Sequence, residues 1–247
     1  MSLLQIKRKN IKELEKSKDI IQADIETVVL TRIGLEIYPE NLLFCKNIKF
    51  VLASTNKLTV LPSFNKYRNM TVCDLSNNRL TAFPAGVLSC MNLRVLDLSG
   101  NRLHCISTRI IELTNLIALR ASDNFLDEFP TELCSMINLQ VLSLRNNSIR
   151  VIPASIEKLK CLKKLYLQQN RIMTLPISII NTSIGDFNGT LRLSKNLLIP
   201  TLKLIYETSG HQGILDLFER SNPVELFNSF EVELKKQFYL TNIGLRN

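Results

Sequence analysis

The 247-residue sequence is poor in most of what a catalytic or membrane protein needs. It has two histidines, His104 and His211, neither with a second plausible ligand nearby, so a structural zinc site is not expected. Its six cysteines, Cys45, Cys73, Cys90, Cys105, Cys134 and Cys161, stand singly without Cys-x-x-Cys spacing and read as buried thiols in a reducing compartment. Eight glycines and eight prolines are too few for a disordered or low-complexity chain. No apolar run approaches the roughly 18–20 uncharged residues of a membrane helix. The start, MSLLQIKRKNIKELEKSKDII, alternates apolar and charged residues, so no secretory leader is expected, and the Asn-x-Ser/Thr matches at Asn69, Asn146, Asn181 and Asn188 should stay unmodified. There is no Gly-x-x-x-x-Gly-Lys loop, no Gly-x-Ser-x-Gly turn, and no part outside the repeats large enough for an active site. The expectation is a noncatalytic protein without cofactor or metal, in the cytoplasm or, second, the nucleus.

What is present is a repeat. VCDLSNNRLTAFP, VLDLSGNRLHCIS, ALRASDNFLDEFP, VLSLRNNSIRVIP and KLYLQQNRIMTLP superimpose without gaps. The residue three before each asparagine is Leu75, Leu98, Ala121, Leu144 and Leu167, a constant step of 23. VLASTNKLTVLP adds Ala53, VVLTRIGLEIYP adds Leu30, and LRLSKNLLIP adds Leu193 after a longer step, giving eight repeats with irregular ends.

Each position has a physical reading. In LQVLSL, Leu139, Leu142 and Leu144 bracket a short extended segment, and the alternation sends Leu142 and Leu144 to one face and Ser143 to the other. One such strand cannot bury its face alone, whereas eight stacked in parallel make a continuous core held by neighbour contacts. Asn147 falls where the chain turns, and its amide carries donors and an acceptor for turn backbone groups and the next repeat. The column Asn56, Asn78, Asn101, Asn124, Asn147, Asn170 and Asn196 is therefore structural. Ile149 and Ile152 return to the core, and Pro153 bars re-entry into a central strand. ASIEKLKCL is a short helical turn with Ile156 and Leu159 inward, and Cys90, Cys134 and Cys161 fall in equivalent return segments, as small buried hydrophobes.

The pattern Leu-x-x-Leu-x-Leu-x-x-Asn-x-Leu-x-x-Leu-Pro resembles the leucine-rich repeat over about two thirds of the chain. The resemblance implies an α/β solenoid, a curved horseshoe with a parallel sheet on its concave face, short helical or 3-10 turns on its convex face, and helical caps. The expected division is a helical cap over 1–24, a solenoid over 25–200 and a helical cap over 201–247. Ile11, Leu14, Ile21 and Ile25 form the apolar stripe of the first cap. SKNLLIPTLKLIYETSGHQGILDLF is similar to the closing unit of intracellular Ras-group members at Asn196, Leu198, Gly210 and Ile214; Leu197, Thr201 and Leu202 stand where that unit has prolines. A final helix starts at Asn222, Pro223 and Glu225, with Phe227, Phe230, Leu234 and Phe238 along one stripe, either a cap or an aromatic partner surface.

The residues between the strand leucines should line the concave face: Val29, Leu52, Asp74, Asp97, Arg120, Ser143, Tyr166 and Arg192. Beside them run Thr31, Ser54, Ser76, Ser99, Ser122, Arg145, Gln168 and Ser194, and next Asn77, Asp123, Asn146, Gln169 and Lys195. The expected partner site is Asp74, Asp97, Arg120, Asp123, Arg145, Tyr166, Gln168 and Arg192, with an Asp97–Arg120 salt bridge and Tyr166 beside Arg145 as its centre. A second candidate is the basic run Lys158, Lys160, Lys163, Lys164 and Arg171. The expected function is a protein-binding scaffold, a monomer within a complex. The net charge of +9 and the basic run keep open a component of an RNA–protein assembly, and the Ras-group resemblance implies, as a further alternative, the targeting subunit of a phosphatase, GTPase or ubiquitin-ligase complex.

Overall fold

The computed structural model describes residues 3–5, 25–186 and 188–243, with side chains as far as Gln237. Its strands are β1 (Leu3–Gln5), β2 (Thr27–Val29), β3 (Phe50–Leu52), β4 (Val72–Asp74), β5 (Val95–Asp97), β6 (Ala118–Arg120), β7 (Val141–Ser143), β8 (Lys164–Tyr166) and β9 (Thr190–Arg192). They form one sheet in sequence order, every neighbouring pair parallel. The curved solenoid read from the repeat is therefore the fold.

Two columns build the core. The middle strand residues Val28, Val51, Cys73, Leu96, Leu119, Leu142, Leu165 and Leu191 are at most 1% exposed. The columns's continuation, Leu30, Ala53, Leu75, Leu98, Ala121, Leu144, Leu167 and Leu193, is fully buried. Each leucine so buried stabilises by about 1.5–3 kcal/mol relative to an exposed one.

Convex 3-10 turns at Glu40–Phe44, Ala85–Ser89, Thr131–Ser135, Ala154–Lys158 and Ile177–Asn181 each follow a proline, from Pro39 to Pro176, whose fixed φ sets the chain's entry. The repeat at Pro62 lacks such a turn and fills the space with Phe64, Tyr67 and Met70, all fully buried. Gly86 packs against it so closely that a Cβ there would stand 2.0 Å from the Pro62 carbonyl oxygen.

At the C-terminal edge, helix α1 (Pro200–Arg220) replaces a tenth strand. Its Tyr206 hydroxyl accepts from the Leu193 amide at 3.0 Å, the donor that a further strand would have taken. Helix α1 breaks at Gly210, whose φ of 64° and ψ of −157° suit glycine alone. Beyond it Ile214, Leu215 and Phe218 are buried. Asn222 caps helix α2 (Pro223–Ile243) by accepting from the Val224 amide at 2.9 Å, and Glu233 of α2 accepts from both the amide and the hydroxyl of Thr201. At the other end β1 adds a strand within the stretch expected to be a helical cap. Ile11, Leu14 and Ile21 lie outside the described residues; Ile25 is buried.

Candidate functional site: the concave face

The asparagine column fixes the turn that leads off the sheet. Asn147 donates to the carbonyls of Ala121 and Leu144, both at 3.0 Å, and accepts from the Leu126 amide at 2.9 Å. Asn56, Asn78, Asn101, Asn124 and Asn170 bond likewise, so the ladder ties each repeat back to the one before it, not forward to the next as expected. The residue before each asparagine is left-handed: Arg32 excepted in lacking the asparagine, the series is Thr55, Asn77, Gly100, Asp123, Asn146, Gln169 and Lys195, with φ between 50° and 66°. That backbone turns these side chains off the sheet and explains the many amides among them.

Strand register brings Val29, Leu52, Asp74, Asp97, Arg120, Ser143, Tyr166 and Arg192 into one row, as their spacing predicts. Several of these side chains serve the fold. Asp74 accepts from the Ser76 amide at 2.9 Å and Asp97 from the Ser99 amide at 3.0 Å, so both carboxylates close their own turns. Asp97 and Arg120 are register neighbours, but no Asp97–Arg120 salt bridge forms; the Asp97 carboxylate is turned to its own backbone. Asp123 accepts from Asn146 at 2.8 Å, and Ser143 pairs with the buried Ser122 hydroxyl at 2.7 Å. Arg145 donates to Gln169 at 2.7 Å, so its guanidinium reaches toward the turn of the next repeat. Gln168 is half-buried, with a shielded Oε1 that has no hydrogen-bond partner.

A second row escaped the sequence reading. Strand alternation puts Thr27, Phe50, Val72, Val95, Ala118, Val141, Lys164 and Thr190 on the same face, and all but Ala118 and Lys164 are half-buried. The signal was available as the residue preceding the first strand leucine, which is apolar in five successive repeats. The concave face thus carries an aliphatic strip beside its polar row.

The basic run does not gather into one patch. Lys164 belongs to β8 and the concave face, Arg171 follows the Asn170 turn, and Lys158, Lys160 and Lys163 lie along the convex turn and the loop entering β8. All five are exposed, and Lys160 donates to the Asn181 carbonyl at 3.1 Å.

The cysteine reading also changes. Cys45, Cys73, Cys90 and Cys134 are buried, and burial pushes the Cys90 thiol up to about 12. Cys105 and Cys161 are exposed. Cys161, expected to be buried in its return segment, sits beyond the convex turn in the loop before β8, where earlier repeats have Asn92, Asn115 and Asn138. Those three donate to the carbonyls of Arg68, Met91 and Thr114 at 2.8–2.9 Å, a second ladder that the sequence shows as Asn-Leu before three strands.

The α2 stripe divides as well. Phe230 is buried and meets Phe218 at 6.2 Å between ring centroids, whereas Phe227 is 66% exposed. Phe227, Val224 and Leu234 line an apolar groove of about 690 Å³ against Ile152, Leu175 and Ile177. The Phe238 side chain lies outside the described residues. Among those residues no His, Cys, Asp and Glu cluster could hold a metal ion, and no helix is long and apolar enough to cross a membrane. His211 of α1 has its pKa lowered, chiefly by burial and then by the charge of Arg192.

Two family models match, "Leucine rich repeat" over residues 49–107 and "Leucine Rich repeats (2 copies)" over 137–185. No curated protein matches the sequence. Among solved structures, a leucine-rich repeat protein of Leptospira interrogans is 26% identical with a TM-score of 0.61, covering 77% of this chain and 55% of that one. The chain therefore spans about half the length of the Leptospira protein. Internalin C2 of Listeria monocytogenes shares the fold at 18% identity and a TM-score of 0.61, covering 83% of this chain and 88% of its own. The ectodomain of the Arabidopsis thaliana receptor kinase GASSHO1/SCHENGEN3, in complex with CASPARIAN STRIP INTEGRITY FACTOR 2, does so at 23% identity and 0.61, covering 80% and 29%. Repeat spacing, the asparagine ladder, the nine-stranded parallel sheet and these matches agree that the chain is a leucine-rich repeat protein.

Proposed function

We propose that the protein is a noncatalytic scaffold that binds a protein partner on its concave face. The observation that carries this reading is the apolar row Phe50, Val72, Val95 and Val141, half-buried on the concave face, running beside the exposed Arg120 and Arg192 and the half-buried Tyr166. Exposed Tyr and Arg are the residue types enriched where binding energy concentrates. Asp74, Asp97 and Asp123, spent on turns, shape the face, and Arg120, Arg145, Tyr166, Gln168 and Arg192 are left to meet the partner. The helix–glycine–helix closure after Asn196 supports an intracellular, Ras-group-like member working in the cytoplasm.

The test is affinity purification from native cells with Arg145→Glu combined with Tyr166→Ala. The main partner should be lost while thermal stability stays nearly unchanged, because neither side chain holds the core. If reversal of Lys158, Lys160 and Lys163 removes the partner instead, and nuclease releases it, an RNA–protein assembly replaces this reading.

A further inference from the structure

The outward positions of β6–β9 and the residues that continue them are electrostatically one-sided. They carry Arg120, Arg145, Lys164 and Arg192, all exposed, and no carboxylate. Asp97 is the register partner of Arg120 but its carboxylate accepts from its own Ser99 amide, and Asp123, in the turn, accepts from Asn146. Among the described residues the salt bridges use Lys49, Lys57, Arg109 and Lys235, so none of these four cations is paired with an acid. Arg120 and Arg192 stand three strands apart in one row, about 14 Å at the spacing of a parallel sheet. Lys164 and Arg145 flank the same row on either side. Arg120 with Arg145, and Lys164 with Arg192, are on adjacent strands two positions apart, within about one Debye length, so each pair reinforces one field.

The aliphatic strip runs directly into this cluster, since Val141 is the register partner of Lys164. The face therefore matches a chain that carries both acids and aliphatic side chains. A nucleic acid would supply the charge but needs aromatic platforms for its bases. The outward strand positions from β3 to β9 offer Phe50 and Tyr166, five strands apart, with aliphatic residues between. A flat lipid surface cannot follow a concave sheet.

We infer that the C-terminal half of the concave face binds an acidic peptide segment, its carboxylates against Arg120, Arg145, Lys164 and Arg192 and its aliphatic side chains against the half-buried Val141. The segment has one orientation across the sheet, because Asp74 and Asp97 on β4 and β5 repel its acidic end. This rests on the concave face being the partner site and adds what kind of segment lies there.

The probes are a labelled peptide of repeating Glu-Glu-Leu long enough to span β6–β9, its Gln-Gln-Leu counterpart, and a polyuridine RNA of matched charge, each titrated into the full chain by fluorescence anisotropy. The acidic peptide should bind, and its glutamine counterpart should bind at least about tenfold more weakly. Lys164→Glu with Arg192→Glu should weaken the acidic peptide by a similar factor. Lys158→Glu with Lys160→Glu and Lys163→Glu, on the convex side, should change it less than about twofold. Equal binding of the two peptides, no binding of either, or stronger binding of the RNA that the same concave reversal removes would each overturn the inference. If the acidic peptide fails while Arg145→Glu with Tyr166→Ala still loses the native partner, the scaffold reading stands without the acidic segment. If both fail, the concave face is not the partner site.

Discussion

Two asparagine columns run through this solenoid on opposite sides of the sheet, and they behave differently. The column after the strands recurs in seven repeats from Asn56 to Asn196, is mostly buried, and serves three or more backbone groups per residue. The column before the strands runs Asn47, Asn69, Asn92, Asn115 and Asn138, all exposed, and the last three are each shown donating to one carbonyl. Periodicity and residue type are the same in both. Water decides the difference, because a turn carbonyl buried without a partner costs about 1–3 kcal/mol, whereas an exposed one is solvated. The buried column is therefore obligatory, and the exposed one ends at Cys161 without disturbing the sheet.

Breaking the buried ladder should have the largest effect. Asn124→Ala removes donors to the Leu98, Ala121 and Ser122 carbonyls and the acceptor of the Leu103 amide. Stability should fall by about 3 kcal/mol, read as a lower urea midpoint. Because repeats contact only neighbours, the loss in a central repeat should also separate the unfolding of the two halves. A loss no greater than that of Asn115→Ala would show that burial does not set the ladder's worth.

The ends of the ladders come next. Tyr206→Phe deletes only the hydroxyl that accepts from the Leu193 amide, leaving a partly buried edge donor unmet. The expected loss is about 1 kcal/mol, with hydrogen exchange accelerating at Leu193 and not at Leu144. Smaller again is Asn115→Ala, which gives up one exposed bond to the Met91 carbonyl and should cost about 0.5 kcal/mol by the same urea titration.

How much of this the sequence discloses follows from the same contrast. The buried columns are legible because burial demands one residue type at one spacing: Leu142, Leu144, Asn147, Ile149 and Ile152 all lie where the repeat puts them. The concave row from Val29 to Arg192 was equally legible, since strand alternation leaves no choice of face. What neighbouring side chains do on an open face is not written in a period. Asp97 prefers its own Ser99 amide to Arg120, and Arg145 prefers Gln169, because a short local hydrogen bond competes well with a solvated ion pair. The basic run from Lys158 to Arg171 looked continuous along the chain, yet one repeat wraps the whole cross-section, so adjacent residues in sequence reach opposite sides.

The smallest effect is a gain, and it tests the exposed ladder by extending it. Cys161 occupies the place of Asn138 one repeat later, and the local backbone repeats: the Leu162 amide donates to Leu159 at 3.0 Å as that of Leu139 does to Met136 at 2.9 Å. Lys163 likewise donates to the Gln140 carbonyl as Gln140 does to that of Ile117. An amide side chain introduced by Cys161→Asn would therefore find the Ile137 carbonyl where Asn138 finds that of Thr114. One exposed hydrogen bond should add about 0.5 kcal/mol, a small rise in the urea midpoint with unchanged slope. Cys161→Ser, too short to reach across, should leave the midpoint where it is. If serine stabilises as much as asparagine, the gain comes from removing the thiol, and Asn92, Asn115 and Asn138 are a surface habit of the repeat with no share in holding it together.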